Sequence, residues 1–262
     1  MRIGVMSPSR KQGITTASIL IASAFADTQG TKVCLVHTGE DNFPINNALG
    51  IEELNDITKS FTQLVKLLEA EAISGKEVSD YCTKVSLNLD VLHLSSESVS
   101  REVSSKHIPF LIESLEHDVV VVDIDTEPQD PITLSIMKNI DFFVVVLSQS
   151  NDVYRKLELW KEYEYLAQLE KKGIMYVFNQ YDQYTGAFRN ASKSIGVRHT
   201  RCCRISYNPF IRRMSNENRL HQIIEYVVNR DAKVVELNND IKEILQVITA
   251  NLLGHRLIWR DK

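Results

Sequence analysis

The chain has 262 residues, of which 44% are hydrophobic and 24% are charged, and this ordinary globular composition suffices for one large domain. The net charge of −4 and the pI near 6.0 argue against a dominant nucleic-acid-binding surface, although a local basic patch stays open. No apolar run reaches the ~18 residues that a transmembrane helix needs, and the first residues read as a strand and a loop instead of a signal peptide. We therefore expect a cytoplasmic protein.

Short apolar runs alternate with helical patterns along the chain. The apolar runs predict strands at 2–6, 32–37, 89–94, 118–125, 141–150, 173–180 and 202–207. Helical periodicity predicts helices at 15–27, 60–82, 101–116, 152–172, 219–229 and 233–253. The run DVVVVDID at 118–125 is nearly all β-branched, which is typical of a strand buried on both faces of a parallel sheet. The alternation predicts an α/β fold, a doubly wound, mostly parallel sheet with helices on both faces, as a single domain over 1–262.

Ligands of such sheets bind beyond the carboxyl ends of the strands. Chain order predicts that five segments meet at this edge of the sheet. They are 7–16, 37–41, 123–128, 148–151 and 179–182. The four cysteines, by contrast, fit no metal-binding spacing, and we interpret them as buried thiols. They are Cys34, Cys82, Cys202 and Cys203.

The opening MRIGVMSPSRKQGITTASILIASAF has the layout of a phosphate-binding loop, in which a strand leads through a polar loop into a helix. Such loops bind phosphate because successive backbone N–H groups surround it at a helix N-terminus. Gly13 permits a close approach of the backbone, and Thr15 or Thr16 can cap the helix or hold Mg²⁺. Ile14, however, stands where the lysine that neutralises phosphate is expected. Its apolar side chain cannot neutralise phosphate, so we expect it to pack under the loop.

The chain resembles the ParA/MinD family of ATPases, whose deviant Walker A motif reads G-K-G-G-x-G-K-T-T. Laid on residues 8–16, the motif gives P-S-R-K-Q-G-I-T-T, so that Gly13, Thr15 and Thr16 match it. The remaining substitutions remove three of the four glycines and both lysines of the motif: Pro8 and the pair Arg10 and Lys11 stand for glycines, Ser9 for the signature lysine, and Ile14 for the phosphate lysine. Within the family, the likeness is nearest to the TadZ/CpaE branch, which has atypical Walker A loops.

Later segments extend the resemblance. VVVVDIDTEP resembles the Walker B strand and aligns Asp123 with its magnesium-side carboxylate, whereas His37 falls in the register of a D-x-D motif. FNQYD aligns Asn179 with the asparagine that reads adenine, and ISYNPFIRRMS resembles the stretch that closes over the base. The resemblance implies a P-loop NTPase-like fold that binds ATP or ADP with Mg²⁺. It nominates as nucleotide-binding residues Arg10, Lys11, Gln12, Gly13, Ile14, Thr15, Thr16 and Asn179, and as Mg²⁺ ligands Thr15 and Asp123.

The departures from the motifs favour a protein that hydrolyses ATP weakly or not at all, and they leave no residue that we nominate as catalytic. Phosphoryl transfer depends on positioning and charge, and one arginine-finger contact is worth roughly 10³–10⁵ in rate. The chain lacks both lysines of the Walker A motif and the switch aspartate of the D-x-D motif, and this combined loss predicts little ATP turnover. The predicted function is therefore a positioning or assembly scaffold, such as one in pilus or secretion machinery, that acts as a homodimer with protein partners.

Two alternatives stay open at this point. Arg10 or Lys11 can replace the phosphate lysine, which predicts an active Mg²⁺-dependent ATPase. A DNA-partition factor is the other alternative, because basic residues cluster in the segment that runs from 189 into the last predicted strand. They are Arg189, Lys193, Arg198, Arg201 and Arg204. The net charge gives the DNA interpretation no support.

The C-terminal stretch IKEILQVITANLLGHRLIWRDK combines a helical apolar stripe with a short basic tail that contains Trp259. The stripe consists of residues 241, 244, 245, 248, 252 and 253. A basic amphipathic tail of this kind can lie at a membrane surface, which predicts a peripheral contact at the inner face of the membrane. The simpler interpretation is a last helix that packs on the sheet and ends in a polar tail.

Overall fold

The computed structural model describes residues 1–39, 43–51, 60–94, 99–124, 127, 129–163 and 165–253. The described strands form one eight-stranded sheet in the order β3-β4-β2-β5-β1-β6-β7-β8. Their bounds are β1 (Arg2–Met6), β2 (Val33–His37), β3 (Thr83–Lys84), β4 (Leu89–His93), β5 (Val119–Asp123), β6 (Phe142–Leu147), β7 (Ile174–Tyr181) and β8 (Cys202–Ser206). All neighbouring strands are parallel except β3 and β4, which are antiparallel. The prediction of a mostly parallel sheet is confirmed.

Helices connect the parallel strands. Their bounds are α1 (Ile14–Gln29), α2 (Phe43–Leu49), α3 (Phe61–Glu69), α4 (Arg101–Ser114), α5 (Pro131–Met137), α6 (Asn151–Glu162), α7 (Tyr165–Glu170), α8 (Phe188–Ser194), α9 (Pro209–Asn216), α10 (Ile223–Val228) and α11 (Val235–Leu253). Short 3₁₀ turns precede α10 and α11 and follow α3. Among the described residues, no helix is both long and apolar enough to cross a membrane.

Successive residues of the central strands point to opposite faces of the sheet, and each face carries its own hydrophobic core. In β5, Val119 and Val121 belong to the core that α1, α10 and α11 cover, whereas Val120 and Val122 belong to the core that α4 to α7 cover. All five residues of β5 are buried. The valine-rich run therefore encodes a strand without a solvent face, and the predicted doubly wound α/β fold is confirmed.

The predicted helix at 60–82 is wrong in its second half, because the chain breaks after α3. Glu71 adopts a left-handed conformation with φ 53, which an α-helix does not accept. A new 3₁₀ turn then begins at Ser74, whose backbone N–H and hydroxyl both donate to the carboxylate of Glu77 in a capping box. This S-x-x-E signature is visible in the sequence, but helical periodicity alone runs across it.

The predicted helix at 152–172 is in fact two helices, α6 and α7, and the predicted strand at 141–150 ends already at Leu147. The edge strand β3 and the short helices α2, α5, α8 and α9 are further elements that the sequence patterns did not indicate. The interpretation of the cysteines as buried thiols is confirmed, since all four are free and buried. Burial raises the pKa of the Cys202 thiol to about 12, so this thiol stays protonated at neutral pH.

Candidate functional site

The loop of residues 7–13 lies at the carboxyl edge of the sheet, where strand β1 ends. β1 is a central strand, because β5 pairs with it on one side and β6 on the other. The ends of β5 and β6 therefore flank the loop, as chain order predicts for a doubly wound sheet. Three further hydrogen bonds, described below, bring the ends of β2 and β7 and the start of α6 to the same edge.

Local hydrogen bonds between residues two positions apart stabilise the shape of the loop. The backbone N–H of Ser9 donates to the Ser7 hydroxyl at 3.3 Å, and the Gln12 side-chain amide donates to the Arg10 carbonyl at 3.0 Å. Lys11 adopts a left-handed conformation with φ 62, and Gly13 follows with φ 79. These two left-handed residues, separated by Gln12, turn the chain sharply into α1.

Asn179, at the end of β7, attaches this loop to the sheet. Its buried side chain donates from Nδ2 to the Gln12 carbonyl at 2.9 Å. A bulge at Gln180, which has φ 50, shifts the β7–β8 register next to Asn179. A Cβ atom at Gly13 would lie 2.1 Å from Asn179 Nδ2, so only glycine allows this approach. The amide that the resemblance aligns with adenine reading thus contacts the loop backbone here.

Helix α1 begins in the manner of an anion-binding helix. Its first intrahelical hydrogen bond runs from Ala17 N to the Gly13 carbonyl at 3.0 Å, so the N–H groups of the three residues between lie outside the helical ladder. Such N–H groups and the helix dipole form a cradle for a phosphate. The prediction that Thr15 or Thr16 caps the helix is wrong, because Gly13 is the N-cap and both threonines lie inside the first turn.

Ile14 packs beneath the loop, as its apolar side chain predicts. Only 7% of the residue is exposed, and it belongs to the core between the sheet and α1. Arg10 and Lys11 are exposed at the tip of the loop. The position of the phosphate lysine is therefore a core position in this chain, and the positive charge of the loop lies at its tip.

Asp123, at the end of β5, forms a buried pair with His37. The His37 Nδ1 atom lies 2.9 Å from Asp123 Oδ2, and the two residues are register partners on β2 and β5. His93, the register partner of His37 on β4, extends this row across a third strand. Burial, together with the nearby His37, lowers the pKa of His93 to about 4, so His93 is neutral at pH 7.

The residues present fit a magnesium ion in a limited way. Asp123 is fully buried, and its second oxygen, Oδ1, has no hydrogen-bond partner in the described part of the chain. Thr15, in the first turn of α1, carries the hydroxyl that the resemblance nominates. One carboxylate and one hydroxyl, completed by phosphate oxygens and water, are a ligand set that Mg²⁺ accepts. Asp123 and Thr15 could therefore hold the ion, although His37 already occupies Oδ2 of the carboxylate.

A cavity of about 270 Å³ opens beside the loop, between the ends of β7 and β8 and helix α9. Thr16 and Asn179 line its loop side, and Tyr207 and Arg212 line the far side. Helix α9 is positioned there because Asn208 caps it, accepting from Phe210 N at 2.9 Å, and because Pro209 is at the first helical position. The segment that the resemblance places over a base thus forms one wall of this cavity.

The basic run from α8 to β8 is partly neutralised. Arg201 pairs with Glu170 at 3.3 Å, and Arg204 pairs with the buried Asp240 at 3.2 Å. Arg204 also lies over the rings of Tyr181 and Phe188. The other three basic residues, Arg189, Lys193 and Arg198, are exposed. Two of the five charges thus support the fold locally, and a role of the run in DNA binding stays a prediction.

Four of the six residues of the C-terminal apolar stripe pack on the sheet. Ile241, Ile244, Leu245 and Ile248 are all buried in the core that α1 shares, and α11 lies against β8. These residues are therefore not available to a membrane. The basic tail with Trp259 lies outside the described residues, as do Asp125, Thr126 and Pro128 of the Walker B-like segment. A membrane contact through the tail stays a prediction.

Two features of the site were missed by sequence reasoning. One is the pairing of Asp123 with His37, which requires the strand order of the sheet. The other is Lys156 in α6, which donates from Nζ to the Ser9 hydroxyl at 3.0 Å although 147 positions separate the two residues. Neither contact has a local signal in the sequence, since both depend on which strands become neighbours.

Solved structures share this architecture. MinD, the septum site-determining protein of Pyrococcus horikoshii complexed with Mg-ADP, is 16% identical, with a TM-score of 0.68 over 94% of this chain and 95% of that chain. A ParA family ATPase of Chlorobium tepidum is 15% identical, with a TM-score of 0.68 over 92% and 95%. A chain of the MinC:MinD cell division complex of Aquifex aeolicus is 16% identical, with a TM-score of 0.67 over 98% and 97%.

No protein-family model matches the chain, and no curated protein sequence matches it. The likeness to the solved structures is therefore one of three-dimensional architecture at low sequence identity. It shows that the chain has the fold that these MinD and ParA structures share.

Proposed function

We propose that this protein is a ParA/MinD-like positioning or assembly scaffold that binds ATP or ADP with Mg²⁺ weakly at the loop of residues 7–16 and hydrolyses ATP slowly or not at all. The observation that carries the proposal is the burial of Ile14 under a loop that otherwise keeps a phosphate cradle. The backbone N–H groups at the start of α1 still face the loop, whereas the lysine charge of the motif is replaced by core packing.

Three observations support nucleotide as the ligand. The cradle and the 270 Å³ cavity adjoin each other through Thr16 and Asn179. The phosphates of a nucleotide could therefore bind at the cradle while its base occupies the cavity. The cavity lies just below the ~300 Å³ lower end of small-molecule sites, which suits a base rather than a whole nucleotide. MinD of Pyrococcus horikoshii, which shares the fold, is complexed with Mg-ADP. If Mg²⁺ binds, it would neutralise phosphate charge beside Asp123 and Thr15.

A scaffold role follows from what the site lacks. Charge stabilisation carries most of phosphoryl transfer, and the lysine position holds Ile14, while His37, Thr38 and Gly39 stand in the register of the D-x-D motif. The partners that we propose are a second copy of the chain and the proteins of a larger assembly, in keeping with a MinD chain found in the MinC:MinD complex. A place in the TadZ/CpaE branch and in pilus assembly is the finer form of this proposal.

Calorimetric titration of ATP and ADP, each with and without Mg²⁺, tests the binding. We expect a dissociation constant of roughly 10 μM to 1 mM, weaker than a lysine-bearing loop would give. No binding at about 5 mM nucleotide, where about 3 kcal/mol would still be detected, contradicts the proposal. Light scattering during size exclusion, in the same samples, reports whether the chain is a dimer and whether nucleotide changes its mass.

The main alternative function is an active ATPase, because Arg10 and Lys11 are exposed at the loop tip and carry positive charge that could replace that of the lysine. Phosphate release from Mg-ATP distinguishes the two functions. We expect release at the rate of the protein-free blank. Release well above the blank, lost on Arg10→Ala or Lys11→Ala, would favour the ATPase instead.

A further inference from the structure

Lys156 places a third positive charge against the loop. It lies in the second turn of α6, and its Nζ atom donates to the Ser9 hydroxyl at 3.0 Å. The side chain is 45% exposed, and Asp152, one turn earlier on α6, is 3.5 Å from the same Nζ atom. Asp152 is itself 72% exposed, so water screens this ion pair and leaves most of the lysine charge effective.

The fold brings this charge to the loop. α6 follows β6 directly, and β6 pairs with β1, so the start of α6 stands beside the loop that follows β1. The other two cations near the loop, Arg10 and Lys11, belong to its exposed tip. Lys156 differs from them because its stem is carried by a helix and its ammonium group is already hydrogen-bonded to the loop. A cation held in this way loses less conformational entropy when it meets an anion.

We propose that Lys156 is the phosphate-binding lysine of this site, supplied by α6 in the same chain, and that the loop therefore takes a nucleoside polyphosphate without a lysine of its own. This inference rests on the proposed nucleotide binding and names the residue that confers preference for phosphate. The Ser9 hydroxyl is a neutral acceptor, and a charged phosphate oxygen forms a stronger hydrogen bond to an ammonium group. In this proposal a bound phosphate oxygen takes the place of the Ser9 hydroxyl as the acceptor of Lys156 Nζ.

The test compares Lys156→Met, which keeps the length of the side chain but removes the charge, with Lys156→Arg, which keeps the charge. Titration calorimetry of the full chain with AMP, ADP and ATP is the readout. We expect Lys156→Met to weaken ATP binding about tenfold or more and AMP binding much less, because a charge-assisted hydrogen bond to phosphate is lost. Lys156→Arg should stay within about threefold of the wild type for ATP.

Two further variants separate a phosphate contact from a structural effect. Lys161→Met removes another lysine from α6, whose Nζ atom pairs with Glu158 and donates to the Ile195 carbonyl, and it should leave ATP affinity unchanged. Ser9→Ala removes the acceptor that holds Lys156 in the absence of ligand, and it should leave ATP affinity unchanged or slightly raised. An equal loss in Ser9→Ala and Lys156→Met would overturn the proposal, because the lysine would then act only by holding the loop.

The outcomes distinguish this inference from the proposed function. If the wild type binds ATP and Lys156→Met binds it equally well, the inference about Lys156 is wrong and nucleotide binding stands. If the wild type binds no nucleotide, both are wrong. Inorganic triphosphate is the last probe: binding as tight as that of ATP, with the same dependence on Lys156, identifies the phosphate chain alone as the ligand and contradicts a nucleoside preference.

Discussion

The Nδ1 atom of His37 lies 2.9 Å from Oδ2 of Asp123, with both side chains buried at the carboxyl ends of adjacent strands. The pairing of β2 with β5 sets the two Cα atoms side by side, so the contact is built into the sheet and does not depend on a loop. It holds one oxygen of the only carboxylate that the resemblance assigns to magnesium. Any magnesium ion bound at Asp123 would therefore depend on a contact that also stabilises the fold.

Removing the imidazole should destabilise the protein strongly. His37→Leu leaves a buried carboxylate without its partner, and we expect the free energy of unfolding in urea at pH 7 to fall by about 3–5 kcal/mol. His37→Asn keeps an N–H donor at a similar position and should cost about 1 kcal/mol. Equal losses in the two variants would show that packing, and not the hydrogen bond to Asp123, accounts for the effect.

Gly13→Ala should distort the loop through Asn179. The new Cβ atom would lie 2.1 Å from Asn179 Nδ2, and the backbone at φ 79 disfavours alanine by roughly 1–2 kcal/mol. We expect a loss of about 2–4 kcal/mol in unfolding free energy together with weaker nucleotide binding.

The double variant Gly13→Ala with Asn179→Ala provides the control for this clash. Because the second change removes the group that the new Cβ meets, the double variant should be more stable than the sum of the two single losses predicts. Strict additivity in urea unfolding would mean that the loop relaxes away from Asn179 and that the contact does not determine the need for glycine.

Ile14→Lys should exchange stability for affinity. The lysine stem can cover part of the apolar surface under the loop while its ammonium group reaches toward the cradle. We expect a loss of about 1–3 kcal/mol in unfolding free energy and an ATP affinity about tenfold higher than that of the wild type. Ile14→Ala is the matched control, with a loss of about 2–4 kcal/mol and no gain in affinity. An unchanged affinity in Ile14→Lys would indicate that the loop no longer presents a phosphate site.

His93 should make the fold less stable in mild acid. Its pKa is about 4 in the folded chain and about 6.5 when unfolded, so the unfolded state binds the proton first as the pH falls. Its contribution is therefore fully present above pH ~6.5 and is lost toward pH ~4, by up to about 3 kcal/mol. The difference in unfolding free energy between wild type and His93→Gln, measured from pH 7 to pH 4, should follow this curve. A difference that does not vary with pH would contradict it.

The sequence predicted the parts of the fold that are written in local patterns. The four valines of β5 indicated a doubly buried strand, and a glycine before two threonines indicated the start of α1. The break after α3 was missed because the periodicity of the apolar residues continues across Ser74. β3 was missed because two residues carry no period at all.

In the candidate site, too, the sequence predicted local features but not the contacts between distant residues. Ile14 was expected to pack under the loop because an apolar side chain cannot neutralise phosphate, and it does. The contact of Asn179 with Gln12 and that of Lys156 with Ser9 join residues 167 and 147 positions apart. Such contacts depend on the order of the strands in the sheet, and the alternation of strands and helices along the sequence does not determine that order.

The short strand β3 forms one edge of the described sheet, and this edge limits how copies of the protein can associate. β3 is only two residues long, runs antiparallel to β4, and ends in the exposed Lys84. A strand from another molecule finds almost no free backbone ladder beyond it, and adding one would crowd a charged side chain. Extension of the sheet past β3 by a second copy of this chain is therefore disfavoured, and copies that associate would do so through other surfaces.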